Sequence, residues 1–305
     1  MKAIGYVSAM ALLLAGCGGG DETASVPADD MMPSGETTEA GEASGAMTEE
    51  MDAAAALAAV IDHERRDERR ARDEWRHPVE TLSFFGVEPS MTVIEALPGN
   101  GGWYSQILTP LLAEEGRLIG VTYPDSLWSR MFPEWSADNY ERFGTDITQM
   151  GRYMSVEGVE PRQVTLGYAF DDIPDAENGQ VDAVLFFRAL HHLFRFEEPM
   201  IDPALAEVFD ALAPGGVVGV VQHRAPEGAE ASFATGDNGY LKQSDVVAAF
   251  ERAGFVLEAS SEINANPNDP ADSYVWRLPP TTTNNPDTMA IGESDRMTLR
   301  FRKPE

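Results

Sequence analysis

The sequence is short of cysteine, of basic side chains and of long apolar runs, and each shortage closes off a class of protein. A single cysteine, Cys17, among 305 residues excludes an internal disulfide. The 22 Lys and Arg against 51 Asp and Glu leave a formal net charge of −29. That balance argues against a nucleic-acid partner, because a phosphate backbone is gripped mainly by clustered Lys and Arg. No Gly-x-Ser-x-Gly elbow is present, which disfavours a serine hydrolase. A Gly-x-Gly-x-x-Gly turn with an acid about 20 residues further on is missing too, which disfavours a nicotinamide dehydrogenase. The hydrophobic content of 43% is still ordinary for a globular protein with a sizeable core.

The chain opens with Lys2, an apolar stretch from Ala3 to Leu14 and then Leu14-Ala15-Gly16-Cys17. The pattern reads as a secretory signal over residues 1–17, and its apolar part is too short to span a bilayer. Leu-Ala-Gly-Cys resembles the lipobox of bacterial lipoproteins, which implies lipidation at Cys17 and export to a membrane, facing the periplasm. Residues 18–52 carry ten acidic side chains and no Lys or Arg. Such a segment buries too little apolar area to offset its ordering entropy, so a flexible, self-repelling tether is expected.

Residues 53–80 are Ala-rich and then densely charged with both signs, including Arg65, Arg66, Asp67, Glu68, Arg69 and Arg70. Opposite charges three and four apart predict a helix to about Trp75 with most charges solvated, ended by Arg76-His77-Pro78. From residue 81 to 305 strand-like runs alternate with helical patterns. Strands are expected at Thr92–Glu95, Leu118–Thr122, Gln163–Gly167, Ala183–Phe187, Val217–Gln222 and Phe255–Ser260, with Met297–Phe301 closing the sheet antiparallel. Helices are expected from Gly102, across Pro203–Leu212 and across Ser244–Ala253. The alternation implies a doubly wound, mostly parallel α/β sheet. Ligands bind such sheets at the carboxyl ends of the strands. Residues 261–296 lack periodicity and are rich in Asn, Asp, Pro and Thr, which suits the wall or lid of a pocket.

The most informative run is Val93-Ile94-Glu95-Ala96-Leu97-Pro98-Gly99-Asn100-Gly101-Gly102-Trp103-Tyr104-Ser105, in which an apolar strand turns through glycines into a helix. Glycine allows positive φ and close approach of a ligand to the backbone, and the free N–H groups of the next helix favour negative charge.

Taken with Val181-Asp182-Ala183-Val184 leading to Leu190-His191-His192-Leu193, and Leu212-Ala213-Pro214-Gly215-Gly216-Val217, this run resembles the successive motifs of class I S-adenosylmethionine-dependent methyltransferases. His77-Pro78, Phe84-Phe85-Gly86, Pro98-Gly99 and Leu299-Arg300-Phe301-Arg302 look like a bacterial group of predicted methyltransferases. The resemblance implies a seven-stranded Rossmann-like sheet with an antiparallel last strand, S-adenosylmethionine as cofactor and a small-molecule substrate. It implies cofactor contacts at Glu95, Pro98, Gly99, Gly101 and Gly102. Arg188 to His191 would line the substrate side, and Arg188 would also contact the cofactor. Thr122 stands where an acid usually holds the ribose hydroxyls, Leu97 where the first motif glycine stands, and Tyr168 where an acid meets the adenine, leaving Asp171 or Asp172 as substitutes.

No fixed catalytic residue follows, because in-line methyl transfer depends on positioning and on deprotonating the nucleophile. His191, His223 and Tyr104 are the candidates. His191 competes with a packing role against Phe187 and Phe194, and Tyr104 either covers the cofactor or packs the first helix onto the sheet. His191 and His192 are neighbours and point about 100° apart on a helix, so no metal site is expected. A ligand-binding lipoprotein that keeps the fold without catalysis is the alternative.

Overall fold

The computed structural model describes residues 53–99, 101–135, 139, 150–163 and 166–305. The expected signal, the acidic tether and Cys17 lie outside the described residues. Among these, no helix is long and apolar enough to cross a membrane.

The amino-terminal segment is α1 (53–61), two single 3-10 turns at Glu64–Arg66 and Arg70–Arg72, and α2 (Asp73–Arg76). The single helix expected to Trp75 is therefore broken, and two of its charges are not solvated. The Arg66 guanidinium folds inward to Asp73 (2.7 Å) and the carbonyl of Ile61 (3.0 Å), which a straight helix would keep on its surface. Arg76 is only 1% exposed. His77, in the left-handed region at φ 41°, turns the chain into α3 (Pro78–Phe85), whose proline sits where no helical N–H is needed.

Then follow β1 (Thr92–Ala96), α4 (Ser105–Leu112), β2 (Arg117–Thr122), α5 (Asp125–Met131), α6 (Met150–Tyr153), β3 (Leu166–Ala169), β4 (Val181–Phe187) and α7 (His191–Phe194). The chain continues through α8 (Ile201–Ala211), β5 (Leu212–Ala225), β6 (Leu241–Lys242), α9 (Gln243–Arg252), β7 (Val256–Ser261), α10 (Pro286–Met289) and β8 (Arg296–Arg302).

The sheet order is β3-β2-β1-β4-β5-β8-β7, with the two-residue β6 pairing β5 off that path. Strands β1 to β5 pair in parallel, and β8 runs antiparallel between β5 and β7. The doubly wound sheet with an antiparallel closing strand is thus the observed fold. Alternation along the strands divides the core. Ile94, Ala96, Val184 and Phe186 face α5, α8 and α9, whereas Val93, Ala183, Leu185 and Phe187 face α1, α3 and α4. The strand order reverses between β1 and β4, so their carboxyl ends flank the crevice where ligands enter sheets of this kind.

Candidate functional site

The carboxyl end of β1 carries the glycine turn. Leu97 extends the pairing with β2 by donating its N–H to the carbonyl of Val121 (2.6 Å), then turns at φ 55°. Gly99, Gly101 and Gly102 all have positive φ. A Cβ on Gly101 would meet nothing within 4 Å and one on Gly99 only the Leu97 carbonyl at 3.9 Å, so the space above the turn is open there. A Cβ on Gly102 would lie 2.6 Å from the Ser105 hydroxyl, so this glycine is required by packing. Below the turn the Ser105 hydroxyl donates to the Glu95 carboxylate (2.6 Å), and Arg69 reaches over to the carbonyl of Gly101 (2.6 Å).

Glu95 is 3% exposed. Burial pushes its carboxyl up to about 7, with the Ser105 hydrogen bond and the nearby Arg76 opposing. Its position fastens strand to helix underneath the turn. Tyr104 is also buried and stacks on Phe187, with ring centroids 3.4 Å apart and planes at 7°. Of the two roles open to it in the sequence, the packing one is what the geometry shows. Trp103 lies beneath Arg76, whose guanidinium carbon is 4.4 Å from the ring centroid.

On the β2 side the expected nucleoside contacts are engaged elsewhere. Thr122 is 2% exposed, and its hydroxyl accepts the indole N–H of Trp128 (3.3 Å). Tyr123, next in the chain, donates its hydroxyl to the carbonyl of Ala189. Because β1 lies between β2 and β4, this bond crosses the carboxyl end of β1. Tyr168 donates to Glu177 (3.2 Å), and Asp171 and Asp172 are exposed beyond β3.

The ends of β4 and β5 instead open on a cavity of about 220 Å³. Leu97 of the turn, Phe187, Arg188, His191, His192 and His223 border it, and Trp276, Glu293 and Ser294 close it from the long segment after β7. The segment read as a pocket wall therefore supplies one. His191 and His192 both border the cavity despite their adjacent positions, because α7 is a single turn and their rings lie 4.1 Å apart. Among the described residues no group of three His, Cys, Asp or Glu is placed to hold a metal ion.

Burial holds His191 down to about 4, against the Gln222 side chain, and holds His192 and His223 well below the ordinary histidine range. All three rings are neutral at pH 7. The Ser294 hydroxyl lies 2.5 Å from His223 Nδ1, while the Nε2 atoms of His191 and His223 hydrogen-bond no described residue.

Several residues of this site were not legible beforehand. Glu293 is 3% exposed and draws in Arg72 (2.6 Å), Arg296 (3.2 Å) and Arg76 (3.8 Å). Arg72 and Glu293 are 221 positions apart, and neither lies in a periodic run that would announce it.

No protein-family model matches the chain, and no curated protein matches it. Solved structures with a similar fold include a SAM-dependent methyltransferase from Aquifex aeolicus, 14% identical over 76% of this chain and 93% of that one, with a TM-score of 0.43. Another is the Burkholderia thailandensis 1,6-didemethyltoxoflavin-N1-methyltransferase with bound 1,6-didemethyltoxoflavin and S-adenosylhomocysteine, 12% identical over 90% of this chain and 94% of that one, TM-score 0.42. A third is an S-adenosylmethionine-dependent methyltransferase from Mesorhizobium loti, 13% identical over 73% and 96% of the two chains, TM-score 0.41.

Proposed function

We propose that the chain is an S-adenosylmethionine-dependent methyltransferase acting on a small molecule, exported and held at a membrane through lipidated Cys17. The observation that carries the catalytic part is that the glycine turn and the histidine cavity adjoin. Leu97 belongs to the turn and borders the cavity, so a donor on the turn and an acceptor in the cavity would meet at the carboxyl ends of β1 and β4.

The two ends of such a donor meet different surroundings. The open backbone at Gly99 and Gly101 fits the methionine end, where Pro98, Gly99, Gly101 and Gly102 would hold it. The ribose end finds one hydroxyl, Thr122, which already accepts from Trp128, in place of a carboxylate that binds two hydroxyls at once. The bound donor supplies an electrophilic methyl group on a sulfonium.

This chain's own residues would do the rest. Leu97, Phe187 and Trp276 keep water from the acceptor. His223 beside Ser294 and His191 beside Gln222 are neutral rings, and with the ring hydrogen on Nδ1 each would present an unprotonated Nε2 to an acceptor hydroxyl, thiol or amine. Tyr104 would support the wall by holding Phe187 in place.

The second reading, a ligand-binding lipoprotein without catalysis, is favoured by the Tyr123 to Ala189 bond across β1 and by the engaged Thr122. Export would also take the chain away from the compartment in which S-adenosylmethionine is made. Calorimetric titration of the chain with S-adenosylmethionine and S-adenosylhomocysteine separates the two. Saturable heat with thermal stabilisation supports the enzyme, and no response up to millimolar ligand leaves the binding protein. Membrane fractionation of a Cys17→Ser variant tests the anchor, which predicts release into the soluble fraction.

A further inference from the structure

The charges around the cavity do not balance. Arg72, Arg76, Arg188 and Arg296 converge on one carboxylate, Glu293. The other nearby acids are committed elsewhere: Asp295 is bound to Arg224 (2.8 Å), Asp73 to Arg66 (2.7 Å), and Glu95, near Arg76, accepts from Ser105 (2.6 Å) with its carboxyl pushed up to about 7. Guanidinium groups in a site poor in water need acceptors, and here several are missing. Nε and Nη2 of Arg76 and Nη2 of Arg72 are buried without a hydrogen-bond partner among the described residues. Arg188 borders the cavity, and its guanidinium hydrogen-bonds no described residue, although its backbone is fixed at φ 60° and by a bond to the carbonyl of Val221 (2.7 Å). Burial lowers the Arg188 guanidinium to about 10 with Glu293 opposing, and burial followed by the charge of Arg188 lowers Arg76 well below its ordinary value. Uncompensated charge of this kind is costly and calls for an anion.

The surroundings sharpen the point. A chain of net charge −29 has no general attraction for anions, so the four arginines gathered around Glu293, of which Arg188 borders the cavity, make a local feature. The lining also includes the apolar and aromatic side chains of Leu97, Phe187 and Trp276, the last with its ring 12° from parallel to His192. We propose that the cavity takes a small molecule with an apolar, ring-sized body and one oxyanion group, a carboxylate or a phosphate monoester, gripped by Arg188 with the charge of Arg76 behind it. Guanidinium matches the two oxygens of such a group in a plane. The inference names the class of the acceptor in the proposed methyl transfer, and it rests on that reading only for the word acceptor. The binding itself requires no methyl donor.

The test measures thermal denaturation and tryptophan fluorescence of the chain with benzoate, phenylacetate and phenyl phosphate, against benzamide and phenylacetamide as uncharged counterparts. At least one anion is expected to raise the melting temperature saturably and to alter the emission, and the amides to do neither. The carboxylate and phosphate arms show which oxyanion is preferred. Arg188→Gln is expected to weaken the anion at least about tenfold, with Arg188→Lys intermediate. No response to any of the three anions, amides binding as well as acids, or full affinity in Arg188→Gln overturns the proposal. The acid–amide comparison in the unaltered protein decides the matter even if the variants fold poorly. Anion binding without any response to S-adenosylhomocysteine would uphold this site while removing the methyl-transfer reading.

Discussion

The two sides of the crevice at the carboxyl edge differ in how their polar groups are satisfied. On the β2 side, Thr122, Tyr123 and Tyr168 each have a partner within the protein, and the exposed Asp171 and Asp172 are the acids left over. On the β4 and β5 side, the Arg188 guanidinium, the Nε2 atoms of two neutral histidines and part of Arg76 have no hydrogen-bond partner among the described residues. Arg65, Arg66, Arg277 and Arg300 also bury a guanidinium nitrogen without a hydrogen-bond partner among the described residues, and what sets the β4 and β5 side apart is that Arg188, His191 and His223 border a cavity an external molecule can enter. The contrast makes the cavity, more than the glycine turn, the distinctive part of this molecule.

The largest effect should come from removing the one acid that holds the cationic side together. Glu293→Ala leaves four arginines facing one another and is expected to cost about 3–5 kcal/mol in urea unfolding. An equal cost from Arg188→Ala would contradict the claim that the Arg188 guanidinium hydrogen-bonds no described residue.

The glycine turn offers a pH-dependent counterpart. Glu95 is raised from its ordinary 4.5 to about 7, so the folded protein holds a proton that the unfolded chain has released. Its contribution to stability is full below about 4.5 and is lost as pH rises through about 7. A Glu95→Gln variant should remove a pH-dependent difference of about 1–3 kcal/mol over that interval, read as the difference between variant and parent. A parallel pair of stability curves would sink this reading of Glu95.

Steric need distinguishes two adjacent glycines. Gly102→Ala brings a Cβ to 2.6 Å from the Ser105 hydroxyl, whereas Gly101→Ala meets only its own φ of 98°. Both should destabilise, by about 1–3 kcal/mol each, with Gly102→Ala the worse of the two in thermal melts.

Tyr123→Phe removes one hydrogen bond across β1 and should cost about 1 kcal/mol. The same change opens the β2 side and should tighten S-adenosylhomocysteine. Smallest of all is Arg188→Gln, expected within about 0.5 kcal/mol of the parent or slightly stabilising, since it relieves repulsion and breaks no side-chain bond. Its loss would show in ligand binding rather than in stability.

The sequence carried most of the sheet, because strands buried on both faces, such as Val93-Ile94 and Val184-Leu185, are apolar runs between turn residues. It also carried the turn and the positions of Arg188, His191 and His223, which follow from where β4 and β5 end. The arginine cluster was hidden for a physical reason. Arg72 and Arg76 sit in a run of mixed charge that looks like a solvated helix, and only the breaks at Glu64–Arg66 and Arg70–Arg72 turn them inward. Their partner Glu293 lies in the aperiodic segment before β8. The closure by Tyr123 was equally hidden, since a tyrosine after a strand does not reveal which carbonyl its hydroxyl will reach.

The central claim is that the open turn and the adjoining cavity form one methyl-transfer site whose β2 side is closed by Tyr123. Its most direct test is a calorimetric titration of S-adenosylhomocysteine into the protein and into the Tyr123→Phe variant, each checked by thermal melting. The account predicts saturable heat and a raised melting temperature in both, with tighter binding in the variant. No heat and no stabilisation in either protein up to millimolar ligand would contradict it.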